Sequence, residues 1–82
     1  MKLTLDQLRY LVALAEEGSF TRAAERVYLT QPALSVQIRK LEEALRTRLF
    51  DRRTGTLTEG GRVALAQARR VLEEVERLRR LV

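Results

Sequence analysis

The chain has 82 residues, and its 16 lysines and arginines outnumber its 11 acidic residues to give a net charge of +5 at pH 7. This length allows one small domain with one core and leaves no room for a second unit that encloses a substrate cavity. The cationic excess, which is mainly arginine, favours a polyanionic partner. A GC-rich or thermophilic source explains the same arginine bias.

The residue types present disfavour catalysis and metal binding. The sequence has no cysteine and no histidine, which excludes thiolate and imidazole metal sites and Ser-His or Cys-His nucleophiles. The carboxylate pairs Glu42-Glu43 and Glu73-Glu74 are expected on exposed helix faces and not in a cleft. We therefore predict a protein that is not an enzyme and that needs no cofactor.

The N-terminal segment is too polar for a signal peptide or a membrane span. Asp6 and Arg9 interrupt its apolar residues, and no apolar run in the sequence approaches the roughly 18 residues that a crossing needs. The sequence therefore predicts a soluble protein of the cytoplasm without a membrane partner.

The first predicted helix runs from Leu5 to about Glu17. Thr4 and Gln7 form a capping box before it, and Gly18 ends it. The predicted buried stripe consists of Leu5, Leu8, Leu11, Val12 and Ala15.

Two shorter helices are predicted next, on either side of a tight turn. The first begins at Ser19, and its adjacent alanines allow a close helix crossing. Its predicted buried residues are Phe20, Ala23, Ala24 and Val27. The second helix has Thr30 as its N-cap and Pro32 in its first turn, where a missing N–H breaks no hydrogen bond.

The two faces of this second helix differ in character. The spacing of its apolar residues predicts a buried stripe of Leu34, Ile38, Leu41 and Leu45. The opposite face carries Pro32, Val36, Arg39 and Glu43, flanked by Ser35 and Lys40. Short polar groups, one β-branched residue and cations suit the major groove of DNA. The segment therefore predicts a DNA-binding helix-turn-helix, and an ordinary αα-hairpin is the alternative.

A small β-hairpin is predicted between Leu49 and Thr58, because two extended pieces flank a glycine-containing turn. Leu49, Phe50 and Leu57 are expected to anchor it on the helices, since an isolated hairpin is marginal. Beside a helix-turn-helix, such a hairpin is a wing.

Arg52 and Arg53 on this wing are candidates for contacts with the minor groove or its phosphates. Asp51 and Glu59 are the expected ionic partners of Arg52, whereas Arg53 has no local acid on its C-terminal side. The alternative is a solvated turn without a role in binding.

The last segment, from Glu59 to Val82, predicts one long helix. A heptad seam runs along it through Ala64, Ala68, Val71, Val75, Leu78 and Val82, and a second apolar row adjoins it. This apolar width predicts pairing with the same helix of a second chain, with intramolecular packing as the alternative. The predicted division is residues 1–58 for the winged helix-turn-helix and 59–82 for the dimerisation helix. The predicted dimerisation residues are Ala68, Val71, Leu72, Val75, Leu78 and Val82.

The predicted elements contain specific sequence motifs. The runs LRYLVALAEEGSFTRAAERVYLTQPALSVQIRKLEEAL, RLFDR and LTEGG resemble the DNA-binding domain of LysR-type transcriptional regulators over essentially the whole chain. The resemblance implies a mainly α winged helix-turn-helix of three helices and a two-stranded wing, followed by a long linker helix. It also implies a homodimeric regulator of the bacterial nucleoid that binds double-stranded DNA.

The resemblance also implies where the DNA lies. The recognition helix, about residues 30–45, would occupy the major groove with Gln31, Pro32 and Ser35, and Ser19 and Thr21 would approach phosphates. The wing would lie near the minor groove. The candidate DNA-binding residues are Ser19, Thr21, Arg22, Thr30, Gln31, Pro32, Ser35, Val36, Arg39, Arg52 and Arg53.

The chain departs from the family pattern at two places. Val36 stands where many members have an arginine, which replaces a guanine contact with a group suited to a thymine methyl. The wing is also shorter than usual, and Arg53 is the nearest substitute for a basic tip residue.

Family members continue into an effector-binding domain, so we expect the effector to bind a domain absent from this chain. The competing function is a helical protein-interaction module whose basic charge is incidental.

Overall fold

The computed structural model describes residues 2–82, and Met1 lies outside the described residues. The elements are α1 (Leu5–Glu17), α2 (Phe20–Arg26), α3 (Gln31–Leu45), β1 (Phe50–Asp51), β2 (Thr56–Leu57) and α4 (Glu59–Leu81). Helices α2 and α3 form the helix-turn-helix, and the two strands form the wing. The predicted fold class, a mainly α winged helix-turn-helix followed by a long helix, is confirmed.

The helices begin where the sequence supplies a hydroxyl cap. Thr4 accepts the N–H of Gln7 at 3.1 Å, and the Gln7 side chain accepts the N–H of Thr4 at 3.1 Å, which completes the predicted capping box. The other three helices are capped in the same way by Ser19, Thr30 and Thr58. Gly18 ends α1 at φ 65, a left-handed conformation that glycine adopts without steric cost.

The core consists of two clusters that both use α1. One cluster joins α1 to α2, α3 and the wing through Ala13, Leu14, Ala23, Ala24, Leu34, Ile38 and Phe50. The other joins α1 to α3, the start of the wing and α4 through Leu8, Leu11, Leu41, Leu49 and Ala68. Helix α1 therefore lies between the helix-turn-helix and α4.

This central position corrects the buried stripe predicted for α1. Leu5 is 38% exposed, and Val12 and Ala15 are only half-buried. Ala13 and Leu14 are buried in their place, at 1% and 0% exposure. A helix that packs against neighbours on two sides buries two faces, whereas the prediction allowed for one.

Glu42 corrects a second expectation, because it is buried and not on an exposed face. Its carboxylate accepts the N–H groups of Leu49 at 2.9 Å and Phe50 at 3.3 Å. The chain returns across α3 after Leu45, and the backbone donors of this buried segment need an acceptor. Its neighbour Glu43 is exposed, as predicted.

The wing is an antiparallel pair in which Phe50 faces Leu57 and Asp51 faces Thr56. Phe50 is 4% exposed and anchors the hairpin in the core. At the start of α4, a Cβ on Gly61 would overlap the carbonyl oxygen of Leu49. The backbone of α4 therefore lies directly against the chain that leads into β1.

Candidate nucleic-acid interface

The first turn of α3 is exposed, as predicted for the start of a recognition helix. The hydroxyl oxygen of Thr30 accepts the N–H of Ala33 at 3.2 Å, so it serves as the helix cap. Gln31 and Pro32 follow directly and are both exposed. These side chains are therefore available to a partner while the cap keeps the helix end in place.

Further along α3, one face is buried and the opposite face is open. Leu34 and Ile38 are fully buried, whereas Val36 is 45% exposed and Arg39 is exposed. The predicted division of the helix into two faces is confirmed. The open face offers a partner both an apolar and a cationic contact.

Ser35 lies between this open face and the wing. Arg52 Nη2 donates a hydrogen bond to Ser35 Oγ at 3.2 Å. The Arg52 guanidinium carbon also lies 5.0 Å from the ring centroid of Phe20, a cation–π contact. Phe20 meets Phe50 edge to face, with centroids 5.2 Å apart. Arg52 thus connects the wing to both helices of the helix-turn-helix.

These contacts correct the predicted partners of the wing arginines. Asp51 pairs with Arg53 and not with Arg52: its Oδ1 accepts the Arg53 N–H at 2.9 Å, and its Oδ2 lies 3.5 Å from Arg53 Nη2. The backbone hydrogen bond from Arg53 is the main cause that lowers the pKa of Asp51. Glu59 forms no ion pair with Arg52. The Arg53 side chain is nonetheless 89% exposed, so its charge remains open to a partner.

The three candidate residues near the start of α2 are placed differently from one another. The hydroxyl oxygen of Ser19 caps α2 by accepting the N–H of Arg22 at 3.2 Å. Thr21 is exposed. The Arg22 side chain donates to the backbone oxygen of Glu17 at 3.2 Å, which holds it close to the end of α1.

A groove beside α3 contains two cations that the predicted site omitted. Its lining residues are Arg39, Glu42, Glu43, Arg46, Thr47, Arg48 and Arg52. Arg39, Arg46 and Arg48 are exposed, and no carboxylate oxygen of residues 2–82 lies within 4.0 Å of their guanidinium nitrogens. Residues 44–50 contain no acidic residue, and that was the available sign in the sequence.

The acids at the end of α1 are neutralised by arginines of two other helices. Glu16 lies 2.7 Å from Arg26 of α2 and 3.0 Å from Arg69 of α4, and Glu17 lies 3.3 Å from Arg26. Hydrogen bonds from Arg26 and then from Arg69 lower the pKa of Glu16. Negative charge on this side is thus paired, while the cations beside α3 are left uncompensated.

The predicted dimerisation residues become more exposed towards the C-terminal end of α4. Ala68 is 2% exposed in the monomer core, and Val71 and Leu72 are half-buried against the same cluster. The expectation for Ala68 is therefore wrong. Because α1 already covers its side chain, Ala68 has no exposed surface for contact with a second chain. Beyond the half-buried Val75, the apolar residues are open: Leu78 is 61%, Leu81 78% and Val82 99% exposed.

Two further findings concern the whole described chain. None of the helices within residues 2–82 combines the length and apolar character that a membrane crossing needs. Over the same residues, carboxylates do not gather in a group of three or more suited to a metal ion.

An exposed second helix, a short turn and a wing held against that helix define a winged helix-turn-helix domain. Residues 5–62 match the family model described as bacterial regulatory helix-turn-helix protein, lysR family. The chain belongs to the LysR family of bacterial regulatory helix-turn-helix proteins, as the resemblance implied.

Similar proteins carry regulator names. A probable RuBisCO transcriptional regulator of Gracilaria tenuistipitata var. liui is 49% identical over 74 residues, which cover 88% of this chain and 24% of that protein. A regulator of Azotobacter vinelandii, named as an uncharacterised HTH-type transcriptional regulator, is 49% identical over 80 residues, which cover 95% of this chain and 56% of that protein. The chain thus spans a quarter to about half of the length of these relatives.

Two solved structures superpose closely on this chain. The complex of the BenM DNA-binding domain with its benA site 1 DNA gives a TM-score of 0.91 at 37% identity and covers 96% of this chain and 91% of that one. Full-length OxyR C199D of Pseudomonas aeruginosa gives 0.89 at 46% identity, covering 99% of this chain and 25% of that one.

Proposed function

We propose that this chain is the part of a bacterial transcriptional regulator that binds double-stranded DNA in a sequence-specific manner. The observation that carries the proposal is the open face of α3, beside which Arg39, Arg46 and Arg48 are exposed and form no ion pair within residues 2–82. The BenM domain, which is similar over nearly its whole length, was solved with DNA. The role proposed is binding and not catalysis, and its place is the nucleoid in the bacterial cytoplasm.

In this proposal the start of α3 reads bases in the major groove. Gln31, Pro32 and Ser35 approach base edges, and Val36 contacts a thymine methyl. Arg39, together with Arg46 and Arg48 in the adjoining groove, adds phosphate contacts that hold the helix in register.

The remaining contacts flank the recognition helix. Ser19, Thr21, Arg22 and Thr30 lie at the helix starts, where hydroxyl protons and N–H groups suit phosphate oxygens. Arg52 and Arg53 extend the contact to the minor groove through the wing.

The functional unit that we propose is a homodimer formed through α4. The open residues Leu78, Leu81 and Val82 are apolar, and Val75 adjoins them. Two recognition helices held in this way would bind two half-sites of a duplex, and one helix alone covers only a few base pairs. The dimer contact and the division into residues 1–58 and 59–82 stay predictions. We also propose that the effector of the whole regulator binds a domain outside these 82 residues.

The test is duplex binding by the purified chain across a range of salt concentrations. A phosphate-binding domain loses affinity steeply, with a slope of about 0.9 per neutralised phosphate in the logarithmic plot. Gln31→Ala is expected to weaken binding to a selected site by about 1–3 kcal/mol and to leave binding to random duplex almost unchanged. Salt-independent or absent duplex binding would favour the alternative, a helical protein-interaction module with incidental charge.

A further inference from the structure

The hydroxyl of Ser35 has its acceptor side occupied and its donor side unused. A serine hydroxyl carries one proton to donate and two lone pairs with which to accept. Arg52 Nη2 engages the oxygen at 3.2 Å. Within residues 2–82, the Ser35 proton has no hydrogen-bond acceptor.

The charge of Arg52 changes which partner this hydroxyl favours. A cation beside the oxygen repels a second N–H donor and polarises the O–H bond, so that the hydroxyl becomes a stronger donor. A duplex offers amino donors on cytosine and adenine, and it offers acceptors at purine N7, guanine O6, thymine O4 and the phosphate oxygens. Ser35 is thereby biased towards the acceptors.

Arg52 is held in this position by the core of the domain. Its guanidinium carbon lies over the Phe20 ring at 5.0 Å from the centroid, and Phe20 packs against the buried Phe50 of β1. A planar guanidinium can stack on a ring and donate in its own plane at the same time, which a lysine ammonium cannot do. The orientation of the Ser35 hydroxyl is therefore built into the link between the wing and α3.

We propose that Arg52 is a positioning residue that makes Ser35 a hydrogen-bond donor, so that Ser35 selects an acceptor atom of the bound duplex. This inference rests on the proposed DNA binding. It gives Arg52 a role through Ser35, in addition to any contact that the wing makes itself. The acceptor lies either on a base edge or on a phosphate, and the experiment below separates these two sources.

The first arm is a double-mutant cycle on a duplex selected with the purified parent chain. Ser35→Ala is expected to weaken binding about tenfold. Arg53→Ala measures the cost of removing a wing cation that does not contact Ser35. Arg52→Ala should lose more duplex affinity than Arg53→Ala. When Ser35 is already alanine, the two arginine substitutions should cost the same affinity. Losses that simply add in the double variant would overturn the proposal.

The second arm replaces single acceptor atoms of the duplex. 7-Deazapurines remove N7, 6-thioguanine and 4-thiothymine weaken the carbonyl acceptors, and methylphosphonates remove phosphate oxygens. One replacement is expected to weaken the parent about tenfold and to have little effect on Ser35→Ala and Arg52→Ala. A base replacement identifies a base edge, and a methylphosphonate identifies a phosphate.

The controls keep the two proposals distinguishable. Circular dichroism melting confirms that each variant is folded, and Arg52→Lys, which keeps the charge but not the planar guanidinium, should bind between the parent and Arg52→Ala. If the parent binds the duplex and each atom replacement weakens the parent and Ser35→Ala equally, the proposed role of Ser35 is wrong, whereas the proposed DNA binding is unaffected. A parent without salt-dependent duplex binding would instead contradict the proposed function.

Discussion

Arg46 occupies a backbone conformation that suits glycine better than arginine. It ends α3 at φ 53, in the left-handed region, where a Cβ costs about 1–2 kcal/mol. Its side chain is exposed and forms no ion pair within residues 2–82. The cation thus stands in the groove beside Arg39 and Arg48 at a cost to the stability of the fold.

Arg46→Gly is expected to raise the free energy of unfolding by about 0.5–1 kcal/mol. The relieved strain exceeds the extra entropy of glycine in the unfolded chain, which is about 0.4–1 kcal/mol. Urea denaturation measures the difference, and Arg46→Ala, which keeps the strain, should show no such gain. A glycine variant less stable than the parent would mean that the Arg46 side chain stabilises the fold by more than the strain.

At the scale of elements, Glu16 connects three helices. Its ion pairs with Arg26 and Arg69 tie α1 to α2 and to α4. Because these contacts lower the pKa of Glu16 in the folded chain, their stabilisation is present above the usual carboxyl pKa of 4.5. It is lost as the pH falls from there through the lowered value.

Glu16→Gln should therefore be less stable than the parent at neutral pH and approach the parent as the pH falls below about 4.5. Melting temperatures of both chains over this pH range provide the measurement. Glu73→Gln is the matched control, since Glu73 is exposed on α4 and forms no ion pair within residues 2–82. A constant difference between Glu16→Gln and the parent at all pH values would refute the linkage.

Helix α4 provides the second test at this scale. Val75→Glu is expected to give a folded monomer, because a charge at the proposed dimer contact would be buried without a partner. Its affinity for a duplex with two half-sites should fall far more than its affinity for one half-site. Sedimentation equilibrium and binding to both duplexes measure these effects.

Val63→Glu is the matched control for this experiment, because Val63 lies on the same helix and is 68% exposed. It should leave the association unchanged. A Val75→Glu variant that remains dimeric, or a parent that is monomeric at tens of micromolar, would show that α4 packs only on its own domain.

The sequence predicted elements whose ends have local markers. Thr4, Gly18 and Thr30 act within a turn of their own position, so the helix bounds followed from spacing alone. The contact between Ser35 and Arg52, which the prediction missed, joins residues far apart in the chain. Ser35 and Arg52 are 17 positions apart. The sequence around Arg52 does not indicate that its partner is the distant Ser35 and not the adjacent Asp51.

The burial of Ala68 and Glu42 was hidden for the same reason. The heptad spacing of Ala68 is the same whether α4 packs on α1 or on a second chain, and only the arrangement of all four helices decides between them. Glu42 is adjacent to Glu43, and its burial depends on where the chain turns back after α3.

At the scale of the whole molecule, charge is sorted by location. All three acids of α1 and two of the four acids of α4 pair with arginines of the same or a neighbouring helix, whereas Arg39, Arg46 and Arg48 beside α3 form no ion pair within residues 2–82. Residues 31–53, which contain the recognition helix and the start of the wing, carry six cationic and three acidic residues and so account for +3 of the net charge of +5. Such a distribution steers the domain towards a polyanion with α3 leading.

Arg53→Ala should reduce the salt slope of duplex binding by about 1, because one phosphate contact is lost. The melting temperature should change little, since the side chain is 89% exposed and exposed ion pairs contribute little to stability. Titrations at several salt concentrations and a thermal melt measure both quantities. A large fall in melting temperature with an unchanged slope would make Arg53 a structural residue.

The close contact at Gly61 also has a mechanical consequence. Because the α4 backbone rests on the chain at Leu49 and its first half packs on α1, this half turns as one rigid body with the wing. The part of α4 beyond Leu72 is about 15 Å long at 1.5 Å per residue. Because this part of α4 is short and helical, a torque applied to its end would rotate the open face of α3 by nearly the same angle.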